Sequence, residues 1–129
     1  MIPAITPLYA GLLAIFFVLL SAYVILGRRT GRVSHGDGGD DGLLKRMRLH
    51  GNFAEYAPFA LLLLLLAELQ GAPVWALHLL GLMLLSGRVL HAIGMGVTPQ
   101  VLILRQVGMI LTFGMILLTA SACIGHAVF

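Results

Sequence analysis

Residues 45–58, KRMRLHGNFAEYAP, decide how the rest of the chain is read. They run into Phe59, Ala60 and six consecutive leucines, Leu61 to Leu66, so a polar helical start continues into hydrocarbon. At about 100° per residue, Arg48, Asn52 and Glu55 fall within an arc of roughly 60°, flanked by Lys45 and Tyr56, while His50 points to the opposite side. One helix face therefore carries a cation, an amide, a carboxylate and a phenol. Ionisable groups at membrane depth cost on the order of 2.5–3.5 kcal/mol each, so a cluster of them marks a functional site by default.

Composition puts that helix in a bilayer. The chain has 129 residues, 60% hydrophobic and 10% charged, with a mean hydropathy of +1.02. A soluble core has no use for that much apolar surface. The net charge of +3 rests on only eight basic residues. Their positions, described next, account for the basic pI better than a nucleic-acid surface does, and no nucleic-acid partner is expected. The single cysteine, Cys123, lies in an apolar run and reads as a packing residue. Residues 1–29 lack a basic leader, their apolar stretch is too long for a secretion signal, and their arginines follow it. They read as a retained first span.

Four spans are predicted, over residues 5–26, 44–69, 74–95 and 101–128, each meeting the roughly 20 residues a crossing helix needs. Between the first two lies GRRTGRVSHGDGGDDG, a polar, glycine-rich loop expected to be flexible. Gln70-Gly71-Ala72-Pro73 is a tight turn, with glycine suited to ending one helix and proline to the first turn of the next. Residues 94–99, GMGVTP, form another short breaker. Short connections make successive helices antiparallel neighbours, so the predicted fold is an all-α integral membrane four-helix bundle in one domain. Arg28, Arg29, Arg32, Lys45, Arg46 and Arg48 surround the first loop, and Arg88 and Arg105 flank the third. All eight basic residues then share one membrane face. The positive-inside rule makes that face cytoplasmic, with the 27–43 loop inside and both termini on the far side.

Helices three and four extend the polar site. Arg88 and His91 are three apart, Met95 continues their stripe, and Arg105 enters helix four at a similar depth. Arginines from four segments converge on one end of the bundle, with Glu55 as the nearby intramembrane acid. An anionic ligand would relieve that imbalance.

The order Arg-x-x-x-Asn-x-x-Glu-Tyr-x-Pro, carried by Arg48, Asn52, Glu55, Tyr56 and Pro58, resembles the second helix of the MAPEG family, membrane proteins of eicosanoid and glutathione metabolism. Arg28-Arg29-x-x-Arg32-Val33-Ser34 is similar to the arginine-rich end of that family's first helix. Gly87-Arg88-Val89-x-His91 resembles the third-helix segment of its prostaglandin E synthase branch, and Arg105 falls about where the family's thiolate-stabilising arginine stands. The resemblance covers essentially the whole chain. It implies a homotrimer, with glutathione as co-substrate held between adjacent subunits near the cytoplasmic side.

Glutathione carries two carboxylates and an ammonium, and arginine binds carboxylates through charge-assisted, often bidentate, hydrogen bonds. Carried over residue by residue, the resemblance assigns Arg28, Arg48 and Arg88 to carboxylates. Asn52 and Glu55 go to the peptide backbone or amine, and Tyr56 and His91 to further hydrogen bonds. Arg105 is assigned to lowering the thiol pKa, since the thiolate is the nucleophile. Some eicosanoid-synthesising members have a tyrosine one turn after the His91 position, where this chain has Met95. The expected reaction is therefore a transferase or peroxidase reaction on a lipophilic electrophile delivered from the membrane lipid, and not a specific eicosanoid synthesis.

Other classes share some of these features. A non-catalytic lipid- or glutathione-binding family member needs the same cluster. A small multidrug exporter would use Glu55 as its membrane carboxylate, although the arginine excess repels a cationic substrate. His50 and His91 toward one end, and His78 and His126 toward the other, are compatible with paired haem ligands, but His50 faces away from the polar stripe. Asp37, Asp40 and Asp41 resemble a calcium loop only faintly: Gly39 stands where a ligand is wanted and Arg48 replaces the closing glutamate. A solvated loop, with no metal, is expected there. No Gly-x-x-x-Gly pair lies inside a predicted span, so the sequence offers no specific helix-contact signal.

Overall fold

A computed structural model describes residues 2–129. It contains four helices: α1 (Ile5–Gly31), α2 (Asp41–Leu69), α3 (Val74–Gly96) and α4 (Leu102–Val128). Each is long and apolar enough to cross a membrane. At 1.5 Å per residue the shortest, α3 with 23 residues, reaches about 35 Å, more than the roughly 30 Å of a hydrocarbon core.

The helices overrun the predicted spans at the basic end. α1 continues through Arg28 and Arg29, and α2 begins at Asp41. Arginine is a good helix former, and its charge suits the negative end of the α1 dipole. The loop expected over 27–43 shrinks to 32–40 and is tied down. Arg32 takes the left-handed conformation at φ 55°, Val33 N donates to Arg28 O at 3.0 Å, and Arg28 Nη1 donates to Gly36 O at 2.7 Å. Asp40 caps α2 by accepting from the backbone N–H groups of Gly42 and Leu43. Asp37 accepts from Gly39 N. These two carboxylates of the calcium-like run thus serve loop and cap.

At the opposite end Gly71, at φ 86°, closes α2. Ala72 N donates to Ala67 O and Gly71 N to Glu68 O, the paired bonds of a left-handed helix stop. Pro73 sits at the N-cap of α3, one residue earlier than the first-turn position expected for it.

α2 and α3 are central, each touching the other three helices, while α1 and α4 occupy opposite corners without contact. Tyr9 and Leu13 of α1, Phe53, Ala60 and Leu64 of α2, Leu77 and Leu84 of α3 and Met115 of α4 form the buried core. The leucine run divides by helical period: Leu64 is buried, while Leu62 and Leu66 face outward. Ile15, Val18, Phe59, Ile110 and Leu117 are also exposed, which suits a hydrocarbon solvent.

Polar groups inside the bundle brace pairs of helices. The buried Glu68 carboxylate accepts from Ala4 N and Ile5 N at 2.7 and 2.8 Å and from Thr6 N at 2.7 Å. It satisfies orphan donors at the start of α1, where the helix dipole favours an anion. Tyr9 Oη meets His78 Nδ1 at 2.9 Å, joining α1 to α3. Ser21 Oγ meets His50 Nε2 at 3.0 Å, and the His50 ring stacks on Phe17 with centroids 4.8 Å apart. Two of the four histidines weighed as haem ligands are therefore engaged with hydroxyls of α1.

The α3–α4 seam does have a specific sequence signal, of a different kind from the Gly-x-x-x-Gly pair. A Cβ on Gly87 would stand 2.9 Å from Gly108 O, one on Gly94 would stand 2.7 Å from Arg105 N, and one on Gly108 would stand 2.6 Å from His91 N. Gly87 faces Gly108 across the seam, and Gly94, seven residues on, faces the backbone at the start of α4, so the two backbones touch at both places.

Candidate functional site

The close α3–α4 approach fixes the depth of Arg105. It stands one turn inside α4, beside Gly94, and α2 supplies the facing wall. A cavity of about 100 Å³ lies between these helices, lined by Met47, Arg48, Gly51, Asn52, Glu55, His91, Met95 and Arg105. The three residues on the polar face of α2 thus share one cavity with His91 and Arg105. Arg48 and Glu55 are exposed on its open side, Asn52 is half-buried, and His91 is buried.

Arg105 Nη1 donates to Gln100 Oε1 at 2.6 Å, an intrahelical-scale contact across the start of α4. Its Nε is buried with no hydrogen-bond partner. An unsatisfied buried donor on a cation costs on the order of 1–3 kcal/mol or more, a cost that an anionic ligand would offset. Lys45 Nζ donates to Val97 O at 2.8 Å and Thr98 Oγ1 at 2.9 Å. This ties the start of α2 to the loop that leads into Arg105. Lys45, which flanks the polar face in sequence, is therefore a clamp between α2 and the α3–α4 loop.

A larger cleft of about 430 Å³ adjoins the cavity along α4, lined by His91, Leu102, Arg105, Gln106, Met109, Ile110 and Phe113. Its walls are mostly apolar, and Leu102, Ile110 and Phe113 are exposed on the outside of the bundle. His91 and Arg105 line both spaces. The two residues mark a boundary between a charged cavity and a mostly apolar cleft on the outer side of α4.

Arg88 stands behind the cavity wall. At 1% exposed it is among the most completely buried side chains of the bundle. Its Nε donates to Thr112 Oγ1 at 3.1 Å, Nη1 donates to Asn52 Oδ1 at 2.5 Å, and Nη2 approaches Met109 Sδ at 3.1 Å. Its guanidinium carbon lies 5.6 Å from the centre of the Tyr56 ring, which itself packs edge-on against Phe113. Every one of these partners is neutral. Arg88 and Tyr56 therefore tie α2, α3 and α4 together beneath the cavity.

Arg28 shares the basic end of the bundle but not this cavity. It lines a separate niche of about 340 Å³ with Ile25, Arg29, Arg32, Val33 and Ser34. α1 lies at the corner opposite α4, so within one chain the α1 arginines and Arg105 are apart. Arg46 is likewise occupied, donating to Tyr23 O at 2.7 Å with its guanidinium 4.0 Å over the Tyr23 ring.

Thr112, Met109, Gln100 and Gln106 were not singled out from the sequence. A signal existed for the first of them. Gly108, Thr112, Met115 and Thr119, the buried residues of α4, continue the stripe of Arg105 at spacings of three and four.

Comparison with known proteins agrees with this architecture. The model of the MAPEG family matches residues 6–125. The inner membrane protein YecN of Escherichia coli strain K12 is 41% identical over 90 residues, 70% of this chain and 69% of that protein. The YecN protein of the O6:H1 strain matches to the same extent. No solved structure matches. A family match across nearly the whole chain, on a membrane bundle with a shared polar face of this composition, makes the chain a member of the MAPEG family.

Proposed function

We propose that this protein is a glutathione-dependent membrane transferase or peroxidase acting on lipophilic electrophiles. The supporting observation is the junction at His91 and Arg105, where a charged cavity meets an apolar cleft open to the bilayer. Arg48 and Arg105 offer cations to carboxylate and thiolate, Glu55 offers an anion to the ammonium, and Asn52 offers an amide to the peptide. The lipophilic partner enters along α4 beside Ile110 and Phe113. Its electrophilic atom is then presented to a sulfur held near Arg105.

The chemistry balances without a further cofactor. The thiol proton leaves to water as the Arg105 guanidinium favours the thiolate. The sulfur then attacks an electrophilic carbon, and the leaving group departs with the bonding pair. With a hydroperoxide, two glutathione molecules are oxidised to the disulfide while the O–O bond is reduced to alcohol and water. A cation fixed beside the developing charge acts through preorganised electrostatics, the largest usual term in such catalysis.

Homotrimeric assembly belongs to the same reading. Self-contained ligand sites occupy roughly 300–1,000 Å³, so the 100 Å³ cavity takes part of a tripeptide and leaves the remainder across its open side. An adjacent subunit closes that side, and its α1 end supplies the further arginine contact assigned to Arg28. The basic end faces the cytoplasm, where glutathione is available.

The test is turnover of glutathione with an activated aryl halide and with an organic hydroperoxide, on the detergent-solubilised full chain. Arg105→Ala is expected to lower turnover by roughly a hundredfold while changing glutathione affinity by less than about tenfold. Unchanged turnover contradicts the role given to Arg105. Glutathione binding with no turnover of either electrophile class makes the protein a non-catalytic binder.

A further inference from the structure

The interior guanidinium of Arg88 has a consequence for what the cavity can recognise. A guanidinium is donor-only, with five N–H groups and no acceptor. Whatever faces it on Asn52 must be the carbonyl oxygen, so the orientation of this amide follows from chemistry. With Oδ1 committed to Arg88, the Nδ2 group turns away from the guanidinium, toward the cavity that Asn52 lines. Nδ2 makes no hydrogen bond to the described residues.

Arg88 itself has little freedom. Thr112 holds its Nε, and the Thr112 hydroxyl is aimed in turn, because it donates to Gly108 O at 2.8 Å and so presents a lone pair to Arg88. Met109 Sδ meets Nη2, and the guanidinium lies over the Tyr56 ring. The chain of constraint runs from the Gly87–Gly108 contact through Thr112 and Arg88 to Asn52.

We propose that Arg88 is a positioning residue that locks the Asn52 side chain with its NH2 toward the cavity, so that this subsite accepts only a hydrogen-bond acceptor, a carboxylate or carbonyl oxygen. The identity of that acceptor as part of glutathione rests on the function proposed above. The locking does not.

Asn52 is the sole asparagine of the chain, which makes the test direct. Protein labelled with nitrogen-15 only at asparagine, in detergent micelles, gives a single side-chain NH2 pair. In the wild type this pair is expected to be rigid on the nanosecond scale. Arg88→Met removes every donor, and the pair is expected to shift and become mobile. Thr112→Val loosens the guanidinium at Nε alone, shifts the pair less, and carries the test if Arg88→Met does not fold. Adding glutathione is expected to move the wild-type NH2 signals, and its affinity is expected to fall about tenfold in Arg88→Met, the loss of one hydrogen bond to a charged acceptor.

An Asn52 signal of the same position and mobility in the wild type and in the folded variants overturns the proposal. A wild-type signal that is rigid and dependent on Arg88, yet indifferent to glutathione, upholds the locking and overturns the glutathione reading instead.

Discussion

Asn52 and its neighbours show what a single position on a helix face can encode. The 48, 52, 55 spacing was legible because helical period alone puts those side chains together, and the cavity they line with His91 and Arg105 follows that arc. The burial of Arg88 was not legible. A long basic side chain past the middle of a membrane helix ordinarily carries its charge out to the interface, whereas here the carbonyl of Asn52, the hydroxyl of Thr112, the sulfur of Met109 and the ring of Tyr56, from two other helices, hold it inside. The same geometry predicts the effect of Asn52→Asp. The new carboxylate pairs with Arg88, so thermal stability is expected to hold or rise, yet it turns an acceptor toward the cavity where a donor stood. Glutathione affinity is expected to fall by about tenfold or more, measured by titration beside a melting curve. Retained affinity contradicts the donor role of Asn52.

Between helices, close packing carries the positioning. α3 and α4 meet through Gly87, Gly94 and Gly108, and this contact determines where Arg105 stands relative to His91. No Gly-x-x-x-Gly pair announces it, because the α3 glycines are seven residues apart and only Gly87 has a glycine, Gly108, opposite it, while Gly94 lies against the backbone at Arg105. Gly108→Ala would force a methyl group into the α3 backbone, 2.6 Å from His91 N. It is expected to destabilise the bundle by about 1–3 kcal/mol, the usual range for overpacking, and to lower turnover by displacing Arg105. Gly11→Ala is the control. Nothing lies within 4 Å of the added Cβ there, and the better helix propensity of alanine favours a gain of up to about 1 kcal/mol. Thermal unfolding of the two variants in the same detergent reads the difference. Equal melting temperatures contradict the tight seam. Glu68 makes a parallel point at the other end of the molecule. Its three acceptor bonds go to backbone donors 62 to 64 residues away, a partnership that no local pattern in α2 could signal.

At the scale of the molecule, hydropathy and the placement of charge were enough to give four spans, an antiparallel order and a single basic end. What they could not distribute was the set of arginines at that end. Arg48 and Arg105 face the cavity, Arg88 is interior, Arg46 clasps Tyr23, and Arg28 braces a loop beside a niche of its own. One chain thus offers a small cavity with two cations and one anion on its walls, which the proposed function reads as part of a glutathione site. The most direct test of this account is calorimetric titration of the detergent-solubilised protein with glutathione, repeated after Arg48→Ala and after Glu55→Gln. Saturable binding by the wild type, weakened about tenfold or more in each folded variant, is the predicted result. Absence of binding heat in the wild type, or affinity unchanged in both variants, would contradict it.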